Sequence, residues 1–380
     1  MIGRALTLAL AVVVSLAGSL TGQSAQGTRV SVISGVETRN YRFAAPFAVK
    51  SISQVTVPYA AVISSGKLSI DVGGSWAAST LRRREGGFRR VTGLTDTQVR
   101  AAYILGQDAI VASVLVNLPT GLDRLSPADF DVLGGVSSAF LAFPVNSYSN
   151  GASVTTALAG VIQVGSWNLG LAGSVRASRK FTPIVDPVGG PFEYRAGVEG
   201  RLRIGADRLI GQAKLSMGLT VSELADDVFA GGGIPLSSYQ PGRRWIGEVS
   251  LITAVWGGTV AANSWAYHRR EGRSSGLVID NRESLIGTSL SAAFPVTSAV
   301  DLEPGVEMRY SDLDAGDGLL LGGGAGVRVK LNNTTSFWGG GRFETGFLDT
   351  RGSIAQDPNR VFQTGLQSLS FSAFIRRNLW

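Results

Sequence analysis

Charged and apolar residues alternate with a period of two along this chain, and this alternation constrains the fold more than any other feature. In residues 193–204 (EYRAGVEGRLRI), Glu199 and Arg201 fall on one face of an extended strand, and Tyr194 and Leu202 fall on the other. Successive side chains of a strand point to opposite faces. A soluble sandwich would bury the apolar face, whereas a membrane barrel would present it to lipid and keep the charges inside. Other features of the sequence have to separate these two folds.

Residues 1–27 are predicted to be a cleaved signal peptide and not part of the fold. Arg4 supplies a basic start, and residues 5–20 (ALTLALAVVVSLAGSL) form an apolar run that is short for a spanning helix. No basic stop-transfer flank follows, which disfavours a retained anchor. Small residues between positions 22 and 27 offer more than one cleavage site. The chain has no cysteine, so neither a lipid-attachment cysteine nor a disulfide framework is expected.

Composition excludes disorder and helical membrane spanning. The chain of 380 residues is 44% hydrophobic and 17% charged, which is not the composition of a disordered protein. No second run of eighteen apolar residues follows the first. An exported chain with a mean hydropathy of +0.18 can then enter a bilayer only as a closed sheet, because lipid cannot satisfy an open edge. We therefore predict an all-β fold, a transmembrane antiparallel up-and-down β-barrel over residues 28–380.

The connections between candidate strands support the barrel more strongly than the strands do. Short turns such as residues 64–67 (SSGK) alternate with long segments such as residues 223–242. Outer-membrane barrels have turns at the periplasmic end and loops at the outer end, whereas a sandwich has no reason to separate lengths in this way. The sixteen predicted strands are 28–42, 50–64, 67–82, 96–106, 108–119, 151–164, 167–179, 192–205, 208–222, 243–256, 259–270, 282–296, 298–311, 318–331, 335–348 and 365–380. Fourteen strands remain possible, because the first could be peripheral.

Aromatic residues gather near both predicted ends of the strands. Trp167 and Trp338 lie by short turns, and Tyr41 and Trp245 lie by long loops. Amphipathic rings prefer the headgroup level of a bilayer, so two interfacial belts would explain this pattern. The alternative is that large residues cap a core. The chain also ends in Trp380, which resembles the C-terminal signal of bacterial outer-membrane barrels and implies the barrel assembly machinery as a partner.

One internal stretch resembles a known family. Residues 92–121 look like a segment of the outer-membrane transporters for fatty acids and aromatic hydrocarbons, including the phenol-degradation group. The matching pieces are Gly93 and Asp96 before a strand, Tyr103 within it, and Leu-Pro-Thr-Gly at 118–121. The resemblance implies import of small apolar molecules. The family often has an N-terminal hatch, whereas here the mature N-terminus enters the first strand almost at once.

The longest connection, residues 122–150, does not have the composition of a solvated loop. Apolar residues recur at helical spacing within it. This segment could fold into the barrel mouth as a constriction, which we favour, or pack on the rim as a lid. The constriction candidates are Phe130, Leu133, Phe140 and Phe143.

Charged residues recur on the predicted inner face at mid-strand depth. On the lipid face each would cost about 2–4 kcal/mol near the midplane. They could form a selectivity wall, in which a basic cluster favours anions, or a web of ion pairs that holds the barrel closed. The candidates are Arg100, Arg176, Arg195, Glu199, Arg201, Arg203, Glu303, Glu307, Arg309, Arg328, Arg342 and Glu344.

Several arginines precede the predicted fourth strand. Guanidinium groups bind phosphate through bidentate hydrogen bonds, and the nearest phosphates outside a Gram-negative cell belong to lipopolysaccharide. Outer-membrane lipid is therefore the predicted partner of this loop, ahead of an acidic solute. Nucleic acid is not expected as a partner of an exported barrel, despite a pI near 9.9. The loop residues are Arg82, Arg83, Arg84, Arg89 and Arg90.

Catalysis has little support in the sequence. The single histidine, His268, is followed by Glu271, Ser274 and Ser275, a combination that loosely resembles outer-membrane lipid hydrolases. A nucleophile needs its base within hydrogen-bond reach, and an Arg-Arg-Glu-Gly-Arg run separates these serines from His268. No cluster has metal-ligand spacing, and no phosphate-binding loop joins a strand to a helix. We expect neither an enzyme nor a cofactor.

The sequence therefore predicts a channel for passive uptake of small solutes, with hydrophobic or aromatic compounds as the preferred class. Two alternatives stay open. One is a structural or assembly barrel with a blocked lumen, and the other, less favoured, is an outer-membrane lipid hydrolase.

Overall fold

A computed structural model describes most of the chain. The described residues are 27–106, 109–186, 190–231, 234–313, 316–351 and 361–379. The predicted signal peptide, up to residue 26, and Trp380 lie outside them.

The described residues form twenty-three strands, a 3₁₀ turn and one α-helix. The strands are β1 (Thr28–Phe43), β2 (Val49–Ser65), β3 (Leu68–Arg83), β4 (Phe88–Leu94), β5 (Thr97–Leu105), β6 (Ile110–Leu118), β7 (Ser153–Val164), β8 (Trp167–Ser178), β9 (Phe181–Asp186), β10 (Gly190–Arg195), β11 (Glu199–Ile210), β12 (Ala213–Leu224), β13 (Asp227–Gly231), β14 (Ile234–Tyr239), β15 (Arg244–Val255), β16 (Gly258–Arg269), β17 (Gly272–Ser274), β18 (Leu277–Asp280), β19 (Glu283–Pro295), β20 (Val300–Leu313), β21 (Gly316–Lys330), β22 (Thr335–Arg351) and β23 (Val361–Asn378). The 3₁₀ turn is Pro127–Asp129, and helix α1 is Phe130–Ser137. No helix in these ranges is long and apolar enough to cross a membrane.

Sixteen antiparallel strands close into a barrel, as predicted. β1 pairs with β2 on one side and with β23 on the other, so the first strand is part of the wall and not peripheral. β4 and β5 both pair with β3, one beyond the other, and together they form the fourth barrel strand. This strand is interrupted at Thr95 and Asp96. The other wall strands are β6–β8, β11, β12, β15, β16 and β19–β22.

The two ends of the barrel differ in their connections. Tight turns, such as those at Gly66 and Gly165, join strands at one end, which we call the short-turn end. Longer connections lie at the other, the long-loop end, where β9, β10, β13 and β14 form a separate four-stranded sheet that we call the outer sheet. A small β17–β18 hairpin lies at the same end. This separation of lengths confirms the predicted alternation.

The predicted eighth strand, residues 192–205, is wrong in its bounds. The structure has β10 in the outer sheet, a break, and then the wall strand β11, whose turn lies at residues 211–212 and not 205–207. Tyr194 therefore does not face lipid, and its hydroxyl donates to a carboxylate oxygen of Asp227 at 2.6 Å. The alternation misled because both strands are half-exposed and their phases match across the break. At the break, a Cβ on Gly197 would lie 2.0 Å from the carbonyl oxygen of Ala225.

The outside of the barrel is apolar and the inside is charged. Leu171, Ile204 and Val249 are each at least half exposed on the outer face. Their neighbours in sequence point inward and form ion pairs, such as Arg203 with Glu248 at 2.5 Å. A closed sheet with an apolar exterior and a charged interior is a membrane β-barrel.

The aromatic belts are only partly as predicted. Trp167 and Trp245 share the outward face of their strands with lipid-facing residues. Tyr41 and Trp338 instead point into the lumen, where Tyr41 is fully buried and the Trp338 indole donates to Glu303 at 2.8 Å. Both belong to the inward phase of their strands, which proximity to a strand end does not reveal.

Candidate functional site

Residues 122–150, here called the plug, fold into the barrel from the long-loop end. Helix α1 buries Val132 and Val136, which lie one turn apart on the same face. This face packs in the lumen against inward side chains of β2, β3 and β4. The apolar face of the helix is thus buried inside the barrel, where it is more stable than it would be in contact with solvent.

The four predicted constriction residues differ in burial. Phe140 and Phe143 are buried, and the Phe143 ring meets Tyr41 edge-on at 5.3 Å. Leu133 is partly buried against the same cluster, whereas Phe130 is 48% exposed at the start of α1. The cluster is completed by inward residues of the wall, namely Phe43, Ile52, Ala77, Leu81, Val91, Leu285, Leu320 and Leu366.

Three inward side chains of the wall donate hydrogen bonds to backbone carbonyls of the plug just after α1. The Tyr41 hydroxyl donates to Leu141 at 2.6 Å, and Arg39 donates to the same carbonyl at 3.3 Å. Arg309 donates to the carbonyl of Phe140. These carbonyls lie beyond the end of α1, in a segment without a helix or strand, so they need partners from elsewhere and the wall side chains supply them. We call Arg39, Tyr41 and Arg309 the carbonyl-binding triad.

Buried carboxylates hold the triad in place. Glu344 is fully buried and pairs with Arg309 at 2.5 Å, while Glu307 lies 3.5 Å from Arg309 and 2.5 Å from Arg342. Two arginines thus balance two glutamates beneath the plug. Such a network is fixed only while its members are paired, since removal of one partner leaves an uncompensated buried charge.

Asp96, in the break between β4 and β5, ties together the two ends of the plug. Its carboxylate accepts from the backbone nitrogen of Gly121 at 3.0 Å and from that of Asn150 at 2.7 Å. It also accepts from the Asn117 amide at 2.8 Å and from the Ser149 hydroxyl at 3.1 Å. Asp96 is only 8% exposed. The plug is therefore a closed loop with a single buried anion at its base.

The stretch that resembles a transporter family contains this anchor. A Cβ on Gly121 would lie 2.1 Å from the carbonyl oxygen of Tyr148, and one on Gly93 would lie 3.0 Å from Leu122. The absence of a side chain lets both ends of the plug approach the wall. Tyr103, by contrast, lies on the outward face and is 48% exposed. Gly93, Asp96 and Gly121 thus share one location, which spacing alone did not reveal.

The plug is also joined to the outer sheet. Leu125, near its start, forms a parallel bridge with Ile184 of β9. Leu125 donates to the carbonyl of Pro183 at 2.9 Å, and its own carbonyl accepts from Val185 at 3.0 Å. The plug therefore adds a short edge segment to this sheet.

The predicted lumen residues lie on the inner wall, with one exception. Arg195 is wrong, because it belongs to β10 of the outer sheet and not to a wall strand. The others form ion pairs, among them Arg100 with Asp71, Arg201 with Glu199, and Arg328 with Glu303. Those on the wall are Arg100, Arg176, Glu199, Arg201, Arg203, Glu303, Glu307, Arg309, Arg328, Arg342 and Glu344. Glu37 and Arg39 share this inner surface, although the sequence-based list omitted them.

Two cavities lie inside the barrel outside the plug. One, of about 480 Å³, occupies the short-turn half and is lined by small residues together with Glu303, Arg328 and Trp338. The other, of about 380 Å³, lies between β11, β12, β15 and β16, beside Arg203 and Glu248. Trp265 borders the second cavity and also packs against the plug cluster. Space therefore remains beside the plug and below it.

His268 is not placed as the hydrolase alternative required. Its Nδ1 lies 2.9 Å from the hydroxyl of Ser284, on the outward face of β16. Ser274 instead donates to the carbonyl of Ser238. Among the described residues no carboxylate hydrogen-bonds to His268. Nor do these residues contain a cluster of three or more potential metal ligands.

Comparison with known proteins gives only distant structural likenesses. No protein-family model and no curated protein sequence matches the chain. Among solved structures, the chain is similar to the TodX monoaromatic hydrocarbon channel (10% identity, 94% of this chain and 91% of that one, TM-score 0.46). It is also similar to OmpT of Vibrio cholerae (9%, 94% and 99%, TM-score 0.43) and an anion-selective porin from Comamonas acidovorans (13%, 93% and 99%, TM-score 0.41). The strand pairing of this chain itself establishes the fold.

Proposed function

We propose that this barrel lies in the outer membrane of a Gram-negative envelope and is a channel for passive entry of small solutes. The observation that carries the proposal is the position of the plug. It packs against β1–β4 and against inward residues of β16, β19, β21 and β23, while the cavity beside Arg203 and Glu248 lies on the remaining side. A solute would pass between the plug and this wall.

The preferred solutes are small, uncharged and apolar or aromatic. Charges on the inner wall are arranged as pairs of opposite sign, which weakens their attraction for a permeating ion. At the mouth, the plug presents Phe130, which is about half exposed, and Leu133. A ring at the entrance can stack on an aromatic solute at a favourable offset.

A liposome-swelling assay tests the constriction. Replacing residues 124–148 by a short Gly-Ser linker is feasible, because both ends of the plug lie at Asp96. Larger sugars and aromatic alcohols should then enter faster than in the wild type. Replacement of residues 275–276, at the tip of the β17–β18 hairpin, is the matched control and should leave the size cutoff unchanged. An unchanged cutoff without the plug would refute the constriction.

The alternative of a structural barrel with a blocked lumen makes a different prediction. The extensive apolar packing of Val132, Val136, Phe140 and Phe143 inside the mouth supports it. Such a barrel gives no conductance steps in a planar bilayer, whereas a channel gives discrete ones. Absence of steps from folded wild-type protein would therefore favour this alternative.

Two partners are proposed for the barrel. By strand phase, Arg82 and Arg90 point outward at the long-loop end, where they could contact lipopolysaccharide. Arg83 pairs with a carboxylate of the plug, Arg84 donates to the carbonyl of Phe43, and Arg89 has the inward phase. The lipid contact is thus proposed for two of the five arginines only. Recognition of Trp380 by the assembly machinery remains a prediction from the sequence.

A further inference from the structure

A row of charged side chains crosses the outward face of four neighbouring strands at the long-loop end. It lies one residue beyond the last pairs that β12, β15, β16 and β19 make with one another, and consists of Glu223, Arg243, Arg270 and Arg282. Arg243 forms an ion pair with Glu223. The backbone nitrogen of Arg270 donates to the carbonyl of Arg243 at 3.0 Å, which fixes the spacing of the row.

An aromatic layer lies directly beneath this row, on the side of the lipid face. The rings of Trp245 and His268 are 5.5 Å apart. The guanidinium carbon of Arg270 lies 5.0 Å from the centre of the Trp245 ring, and that of Arg243 lies 5.9 Å from it. The next outward residues on these strands are apolar, and Ile286 among them is exposed. Trp245 therefore marks the boundary between hydrocarbon and headgroups.

The row borders a cavity whose lining is rich in arginine. Its volume is about 560 Å³, and its lining includes Arg243, Arg270, Arg273, Arg282, Glu223, Glu271, His268 and Gln240. Glu223 forms its ion pair with Arg243, and Glu271 lies 3.5 Å from Arg273. Within the described residues Arg270 has no carboxylate partner, only the Trp245 ring and the backbone. Arg270 is therefore the guanidinium of this cavity that can bind an anion without giving up a carboxylate partner among the described residues.

We propose that this cavity binds the phosphate group of a phosphorylated glycolipid of the outer leaflet. The assignment rests on the proposed membrane placement of the barrel. Arginine forms bidentate hydrogen bonds to phosphate, and stacking on Trp245 holds the Arg270 guanidinium in a fixed orientation before the lipid arrives. The exposed apolar residues beneath would contact the acyl chains. The arginine cavity lies above the apolar surface, just as the headgroup of an outer-leaflet lipid lies above its acyl chains.

Binding of lipid A to the purified full-length barrel in detergent tests this site. The two probes are lipid A with its phosphates and the same lipid after enzymatic removal of them, each titrated and followed by native mass spectrometry. The wild type should bind the phosphorylated probe about tenfold or more tightly, since a charge-assisted bidentate contact is worth at least one such factor. The double variant Arg243→Ala/Arg270→Ala should lose most of this preference, and only the contact proposed for Arg82 and Arg90 should remain.

The matched control is Arg208→Ala at the opposite rim. Its guanidinium carbon lies 5.6 Å from the centre of the Trp167 ring, so the control removes an equivalent arginine–tryptophan contact without the cavity. It should keep the full preference. Equal binding of both probes by the wild type, or an unchanged preference in the double variant, would overturn the proposal. Displacement of the lipid by inorganic pyrophosphate at equal affinity would assign the site to a free anion and would also overturn it.

The result is separable from the channel function. Conductance of the double variant, measured on the same preparation, should match the wild type because neither arginine faces the lumen. A barrel that binds the phosphorylated lipid but never conducts would refute the channel and leave this site intact.

Discussion

Asp96→Asn should detach the ends of the plug from the wall without changing the size of the side chain. The carboxylate accepts four hydrogen bonds, two of them from backbone nitrogens of Gly121 and Asn150. An amide has only one acceptor oxygen, and its NH₂ group would face donors. In its better orientation the amide keeps the partners of one oxygen, Asn117 and Asn150, and no longer accepts from those of the other, Gly121 and Ser149.

The magnitude follows from the bonds that are lost. A hydrogen bond to a charged group contributes about 1.5–3 kcal/mol, and a buried donor left without a partner costs about 1–3 kcal/mol. The docked plug should therefore lose about 3 kcal/mol relative to the displaced one. This corresponds to a rise of about 100-fold in the ratio of displaced to docked plug.

Single-channel recording in planar bilayers measures this ratio, as the fraction of time spent in high-conductance excursions. The control is Asp71→Asn, which removes an inward carboxylate of similar chemistry whose partner, Arg100, is more than half exposed. An exposed pair contributes about 0–1 kcal/mol, so the control should resemble the wild type. Excursions in Asp96→Asn within about threefold of the wild-type frequency, with the protein shown to be folded, would refute the role of Asp96 as the anchor.

Two further predictions concern charge and pH. The double variant Arg201→Ala/Arg203→Ala removes two inward positive charges; it leaves Glu248 without its partner and Glu199 with only Arg176 at 4.0 Å. The reversal potential in a KCl gradient should therefore shift toward cation selectivity, and an unchanged potential would contradict a path along this wall. Burial and the hydrogen bond to Asp227 raise the pKa of Tyr194 above its ordinary value of about 10. The protonated hydroxyl therefore stabilises the outer sheet at neutral pH, and this stabilisation is lost as the pH rises through the pKa of the folded state. The difference in absorbance at 295 nm between wild type and Tyr194→Phe should therefore titrate with a midpoint above 10, and a midpoint at or below 10 would be inconsistent with this contact.

The wall strands could be predicted from the sequence because the alternation of polar and apolar residues within each strand shows which of its faces points into the lumen. The β1 and β3 bounds differ from prediction by about one residue for this reason. The same rule failed at residues 192–205, because a strand of the outer sheet and a wall strand have the same period and their phases happen to match. Period two reports exposure and does not say to which sheet a strand belongs.

The anchor of the plug could not be predicted for a different reason. The Asp96 carboxylate accepts hydrogen bonds from two backbone N–H groups. Every residue type except proline has such a group, so the side chains of these partners give no signal in the sequence. Arg39 and Tyr41 were accessible in principle, since both have the inward phase of β1. Their role nevertheless depends on carbonyls about 100 residues away.

The carbonyl-binding triad sets an order of events during assembly. Tyr41 lies on the first strand, and Arg309 lies 268 positions later on β20, so the two become neighbours only when β1 meets β23. Until β1 and β23 pair, the plug can bury its apolar residues, but the carbonyl-binding triad that its backbone needs is incomplete. Bringing together segments so distant in sequence is slow, and the plug should reach its final position as the last step of maturation. A nascent barrel would therefore be leaky before it is sealed, and the interval between insertion and sealing is open to kinetic measurement.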